Sequence, residues 1–204
     1  MIQRFTVLSV MLAWLAACNN GTAPISSYEQ EVLAARLNKD AGFFDPNRTI
    51  LRPKELAKFT GLRYFPVDST FRFHARFERL ADPPTVLIAK QASGPVPYHH
   101  VGYVYIPFEG KSYRLSVYRN MEMDEDQAWI PFHDATSGTE TYGGGRYLDI
   151  DIPKGDTALV DFNLAYNPYC VYNAYDFNCA IPPAENRLPF PVRAGEKKAL
   201  LLDD

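Results

Sequence analysis

The chain has 204 residues, a formal net charge of −3 at pH 7, 13 Tyr, 13 Phe and 16 Pro. This length suits one domain whose core is large enough to fold alone. A mildly acidic chain without a basic run argues against nucleic acid as a partner. The aromatic and proline content, with few long helical patterns, favours a β-rich fold.

The first seventeen residues have the pattern of a secretory signal peptide. Arg4 is their only charged residue, and an apolar run follows from residue 5 to residue 15. A membrane-spanning helix needs about 20 apolar residues, so this run is too short to be one. We therefore expect residues 1–17 to be cleaved from the mature protein.

Cys18 follows Leu15-Ala16-Ala17, which resembles the lipobox of bacterial lipoproteins. Lipid on this cysteine would hold the protein to a bilayer, because each buried CH₂ contributes about 0.8 kcal/mol. Asn19, in place of an aspartate, favours the outer membrane if the host is Gram-negative. The sequence thus predicts a protein of the cell envelope, with a lipidated tether over residues 18–26 and a single domain over residues 27–204.

Two helices are predicted before the first strand. Ser26 and Glu29 have capping-box spacing, and an apolar stripe follows at helical spacing until Gly42. Pro53, a residue favoured in the first turn, begins a second short helix that is expected to end at Phe59.

The rest of the predicted secondary structure is strands and turns. Residues 71–78 alternate apolar and charged side chains, and this period of two indicates a half-buried strand. Further strands are predicted at 85–90, 98–108, 112–119, 128–133, 146–152 and 157–162. We expect a mainly β domain, an antiparallel β-sandwich or a barrel-like sheet, with one or two N-terminal helices and an irregular Pro- and Asn-rich C-terminal wrap over residues 163–197.

Cys170 and Cys179 are the two cysteines that follow the predicted anchor. In an extracytoplasmic domain a disulfide is the natural state of such a pair. Closing so short a loop would contribute about 2–3 kcal/mol to stability. A reduced pair and a pair of metal ligands are the alternatives.

Three stretches carry a family resemblance. The first stretch is Arg63-Tyr64-Phe65-Pro66-Val67-Asp68. The second stretch extends from Phe132-His133-Asp134 to Gly145-Arg146-Tyr147-Leu148. The third stretch contains four runs: Asp161-Phe162-Asn163, Ala165-Tyr166-Asn167-Pro168, Glu185-Asn186-Arg187-Leu188 and Ala194-Gly195-Glu196-Lys197. Together they resemble the DUF1684 family, a domain of unknown function in bacteria and archaea. Ala180 departs from the proline that the family usually has after its second cysteine. The resemblance implies a shared fold and polar core, and no established activity or catalytic residue.

The second and third stretches supply the candidate site residues. Polar side chains in such connections either line a ligand site or hydrogen-bond irregular backbone that would otherwise lack partners. The residues in question are Asp134, Thr136, Ser137, Glu140, Tyr142 and Arg146 in the second stretch, and Asp161, Asn163, Tyr166, Asn167, Glu185, Asn186 and Arg187 in the third.

Other chemistries fit the sequence less well. The glycines at 143–145 lead into a strand, whereas a phosphate loop leads into a helix. Ser137 has His133 and Asp134 close in sequence but lacks a nucleophile elbow. At most one of the adjacent His99 and His100 could join His74 or His133 in a metal site, since neighbours on a strand face opposite ways. The acidic residues at 122–126 match no EF-hand loop. We expect neither a metal nor a cofactor.

Two functions from different classes remain. The first is a binding module on the envelope that holds a small polar or carbohydrate-like ligand at the mouth of the β domain. The alternative is an envelope hydrolase that uses Asp134, Glu140 and Glu185 as an acid-base set. Two carboxylates about 5–10 Å apart in an open pocket would favour the hydrolase.

Overall fold

The computed structural model describes residues 25–199. The predicted signal peptide, Cys18 and most of the predicted tether lie outside these residues. Within them, no helix combines the length and apolar character that crossing a membrane would require.

The predicted N-terminal helix is present as α1, Ser27–Phe44, and the Ser26 hydroxyl accepts a hydrogen bond from the Glu29 N–H at 3.1 Å. This is the cap that the sequence predicts. The helix continues two residues beyond Gly42, and the Asp45 N–H closes its last turn on the Ala41 carbonyl.

The second helix, α2, is Pro53–Leu56 and is shorter than predicted. The following amides of Lys58 and Phe59 bond three residues back instead of four, so the chain tightens into turns after α2. Phe59 stacks on Phe43 of α1 with ring centroids 5.3 Å apart, and this contact joins the two helical segments.

Seven strands form one antiparallel sheet, and each lies within two residues of its predicted bounds. They are β1 (Arg72–Arg79), β2 (Thr85–Ile88), β3 (Val96–Phe108), β4 (Lys111–Arg119), β5 (Gln127–Phe132), β6 (Arg146–Asp151) and β7 (Thr157–Asp161).

The strand order is β6-β5-β4-β3-β1-β7, with β2 paired to the first half of β3. The two end strands, β6 and β7, come into contact, so the sheet curls into a nearly closed barrel. Gly102 of β3 sits at an irregularity in the pairing with β4. A Cβ there would lie 2.5 Å from the Glu78 carbonyl oxygen, so only glycine allows β1 to approach this closely. The expectation of a mainly β, barrel-like domain is confirmed.

The core lies inside the barrel and is completed by the C-terminal wrap. Ile130 and Val160 point inward from the strands, and Val192 and Phe190 of the wrap pack onto them. After β7 the described chain forms only short 3-10 turns and isolated bridges. Its backbone therefore needs hydrogen-bond partners other than a strand ladder.

Cys170 and Cys179 form a disulfide, with their Cα atoms 5.8 Å apart. This confirms the predicted pairing over a reduced pair or a pair of metal ligands. The bridge closes a loop of the wrap that lies on the opposite face of the sheet from the core, where Ala180 packs beside Tyr98 and Trp129.

Candidate functional site

Asp134, in the second polar stretch, lies in a buried hydrogen-bond network. Its carboxylate accepts from the Thr136 hydroxyl at 2.7 Å and from the Val192 N–H at 2.7 Å. The Ser137 hydroxyl donates to the same carboxylate at 3.2 Å. Arg146 lies 3.5 Å away and completes the group. These contacts tie the loop before β6 to the C-terminal wrap.

Arg146 is 1% exposed and is the main donor to that wrap. Its guanidinium donates to the carbonyls of Val192 at 2.8 Å and Glu196 at 3.1 Å, and also to the Ala194 carbonyl. Burial lowers the pKa of Arg146, and Asp134 opposes that effect. The side chain thus provides hydrogen bonds for three carbonyl groups of a segment that has no strand partner.

Two buried asparagines of the third stretch act in the same way. The Asn186 amide accepts from the Ser116 N–H at 2.8 Å and donates to the carbonyls of Ser116 and Pro131 at 2.9 and 2.8 Å. The Asn163 amide accepts from the Asp68 N–H and donates to the Asp68 carbonyl. Each side-chain amide thus forms the backbone hydrogen bonds that a neighbouring strand would otherwise form.

The remaining predicted residues are dispersed. Glu140 pairs with Arg193 at 2.9 Å on the surface, and the Tyr142 hydroxyl accepts from Gln91. Asp161 accepts from the Tyr28 hydroxyl, and Asn167 donates to the Lys197 carbonyl. Glu185 accepts from the Tyr118 hydroxyl, while Arg187 is exposed. The carboxylates of Asp134, Glu140 and Glu185 therefore have three different environments.

A large cavity of the described domain lies elsewhere, on the face of the sheet opposite the core. It has a volume of about 610 Å³ and opens to solvent. This volume falls within the range of roughly 300–1,000 Å³ that is typical of small-molecule sites. β5, β6, the start of β3 and the disulfide loop form its walls. Six aromatic residues line it: Tyr98, Trp129, Tyr147, Tyr166, Tyr169 and Phe177.

Four of these rings form a continuous chain. Tyr98 contacts Trp129 at 5.3 Å between ring centroids, Trp129 contacts Tyr147 at 4.7 Å, and Tyr147 contacts Tyr166 at 5.9 Å. The backbones of Tyr147 and Tyr166 exchange two hydrogen bonds of 2.9 Å each, so the third stretch lies directly beside β6. Of the predicted site residues, the structure brings Tyr166 into this cavity.

Asp149 is the carboxylate in the described lining of the cavity. The Tyr166 hydroxyl donates to its Oδ1 at 2.9 Å, and among the described residues Oδ2 has no hydrogen-bond partner. Asp149 as a residue is exposed to solvent, but the surrounding side chains remove part of the water that would hydrate its carboxylate. This partial desolvation raises the pKa of Asp149, while the Tyr166 hydrogen bond and the charge of Lys39 oppose the effect.

Two lysines lie at the cavity wall. Lys39 of α1 pairs with the buried Glu196 at 2.7 Å and lies 4.3 Å from the centre of the Tyr166 ring. Within the part of the chain that the structure describes, the ammonium of Lys90 has no carboxylate partner. In residues 25–199 no three His, Cys, Asp or Glu side chains group as a metal site would require.

Sequence reasoning missed Asp149, Tyr147 and Trp129. All three lie on the outward face of β5 or β6, where alternation alone predicts exposure to solvent. The sequence did contain one signal for the cavity, which is the concentration of aromatic residues on that outward face. A strand face that is open to water carries charged side chains more often than large rings, so the rings indicated a covered or ligand-binding surface.

We expect Arg146→Ala to lower the free energy of unfolding by about 3–5 kcal/mol, because Asp134 and three carbonyls would lose a buried partner. Urea unfolding measures this change. Arg193→Ala, which breaks an exposed pair, is the control and should change stability by about 1 kcal/mol or less. Equal effects of the two variants would contradict the structural role of Arg146.

We expect Asp149→Asn to be more stable than the wild type at pH 7, because a raised pKa means that ionised Asp149 destabilises the folded state. The difference should shrink as the pH falls toward and below about 3.8, where the carboxyl is protonated in both states. Unfolding curves from pH 3 to pH 7 test this, with Asp82→Asn in an exposed turn as the control. A variant that is less stable at pH 7 would disprove the effect.

Comparison with known proteins agrees with this fold. A solution NMR structure of an uncharacterised protein from Haloarcula marismortui is 32% identical to this chain. The match covers 83% of this chain and 94% of that one, with a TM-score of 0.66. No curated protein matches. The family model described as "Protein of unknown function (DUF1684)" matches residues 57–197. The chain therefore belongs to the DUF1684 family.

Proposed function

We propose that this domain binds a small carbohydrate-like ligand in the aromatic cavity. The observation that carries the proposal is the pairing of six aromatic rings with a carboxylate that keeps one oxygen open to the cavity. Sugars have apolar C–H faces and a rim of hydroxyl groups. Rings offer flat surfaces for the faces, and Asp149 offers an acceptor for the hydroxyls.

The cavity is also held in shape before a ligand arrives. Tyr147 donates to the Ala180 carbonyl, and the disulfide at Cys179 fixes the loop that carries Ala180. Asn178 of the same loop accepts from the Ala92 N–H at 2.9 Å and donates to Ser93. A preorganised wall favours binding because less conformational freedom is lost on association.

Trp129 provides a direct test, since the only other tryptophan of the sequence, Trp14, lies in the segment that we expect to be cleaved. Trp14→Phe removes its signal from any uncleaved chain. In this background, titration with neutral hexoses, N-acetylhexosamines and hexuronates should change the Trp129 fluorescence for at least one of them. Asp149→Ala should weaken that binding by about 10-fold or more, because a hydrogen bond to a charged group is lost.

Asp82→Ala, outside the cavity, is the matched control and should bind like the Trp14→Phe parent. A panel that leaves the Trp129 fluorescence unchanged, with no heat of binding by calorimetry, would overturn the proposed function.

We also propose that lipid on Cys18 holds the domain on the cell envelope. Two features support this: the lipobox-like Leu15-Ala16-Ala17-Cys18, and a disulfide between Cys170 and Cys179 that suits an oxidising compartment. The described domain begins its first helix only at Ser27, which leaves room for a tether.

Cys18→Ser is expected to move the protein from the membrane fraction to the soluble fraction and to prevent incorporation of a fatty-acid label. Its far-UV circular dichroism and melting temperature should match those of the wild type, because α1 begins nine residues later. A variant that still fractionates with membranes and accepts the label would disprove lipidation at Cys18.

A further inference from the structure

A second cavity adjoins the aromatic one. It has a volume of about 390 Å³ and shares with the first cavity the lining residues Met123, Leu148, Asp149 and Leu164. Asp149 therefore lies at the junction of two compartments. The combined volume of the two cavities reaches the upper end, roughly 1,000 Å³, of the range that is typical of small-molecule sites.

The register of β5 and β6 shows how the two compartments are related. Trp129 pairs with Asp149 in the aromatic compartment, and Gln127 pairs with Asp151 in the second one. These pairs lie on the same face of the sheet, one side-chain step apart, which is about 7 Å along the strands. The two compartments thus follow one another along a single face.

The second compartment is open because the barrel is not closed there. β6 and β7 are the ends of the strand order, and in the described sheet no ladder joins them. Leu159 of β7 is 43% exposed and Leu164 after it is 46% exposed, and both line the gap. Exposed apolar side chains beside carboxylates suit a ligand that has both apolar and polar faces.

The charges of the two compartments differ. Lys39 and Lys90 line the aromatic compartment, whereas the described lining of the second compartment contains carboxylates and no lysine or arginine. Of these carboxylates, Asp161 already accepts from Tyr28, and Arg72 lies 3.8 Å from it. Asp151 is exposed and points along the same face as Asp149. This compartment favours groups that donate hydrogen bonds and disfavours anions.

We propose that the natural ligand is a linear oligosaccharide of at least two units, which crosses Asp149 and places a hydroxyl- or amine-rich unit in the second compartment. This inference rests on the proposed function, since it extends the ligand from the aromatic compartment. A single sugar would leave the apolar and acidic surfaces of the gap between β6 and β7 unused.

A length series tests the inference in the full chain with Trp14→Phe. Glucosamine, its β-1,4-linked dimer and its tetramer are the donor-rich probes, and galacturonic acid with its dimer is the anionic series. We expect the affinity to rise by about 10-fold or more from glucosamine to its dimer, with a smaller rise or none in the anionic series.

Asp151→Ala should reduce this gain from monomer to dimer to about three-fold or less, since one added hydrogen-bond acceptor is removed. Gln127→Ala changes the same compartment and should also reduce the gain in affinity from monomer to dimer. Asp82→Ala, outside both compartments, should retain the full gain. Equal affinities for monomer and dimer, or an equal gain in the anionic series, would overturn the inference and leave the aromatic site standing. Absence of binding by every probe of this series and by every sugar of the monosaccharide panel would overturn both proposals.

Discussion

The buried guanidinium of Arg146 joins the barrel to the wrap that covers it. The wrap has no strand ladder, so its carbonyl groups would be buried without partners, and Arg146 donates to three of them while Asp134 balances its charge. A guanidinium suits this position because it presents several N–H donors in one plane. Burying it is costly, and the cost is offset only when all of its partners are present. Asn186 and Asn163 provide the same kind of support elsewhere. The polar core is therefore a requirement of the irregular C-terminal chain.

This network also determines the shape of the aromatic cavity. Glu196 lies in the same segment that Arg146 holds, and its backbone N–H donates to the Ala165 carbonyl while its carboxylate accepts from the Asn167 N–H. Tyr166 is thus fixed on both sides. Glu196 also pairs with Lys39, which lies against the Tyr166 ring. From Arg146 to Tyr166 and then to Asp149, the residues of the buried network and the residues that line the cavity form one chain of contacts. A change in the network should therefore alter the shape of the cavity even where the changed residue does not line it.

Local patterns in the sequence predicted most of the fold and little of the site. The cap at Ser26, the strands and the disulfide depend on short-range spacing, which sequence alone displays. The polar stretches were visible as well, but whether Arg146 faces a ligand or the Val192 carbonyl depends on a contact between residues 46 positions apart. The sequence did not predict the cavity, for a related reason. Trp129 and Asp149 occupy the outward face of their strands, and the disulfide loop, distant in sequence, forms a wall that turns this face into an open cavity.

The wrap follows the last strand of the barrel in sequence, and this order has a consequence for biosynthesis. A nascent chain that has emerged only as far as β7 contains Asp134, Arg146 and Ser116 but lacks every partner they have beyond residue 185. Burying these groups in the barrel is costly until residues 186–196 have also been synthesised, so we expect the barrel to fold stably only after that point. We therefore expect a product truncated before residue 186 to fold incompletely and to be left open to proteases.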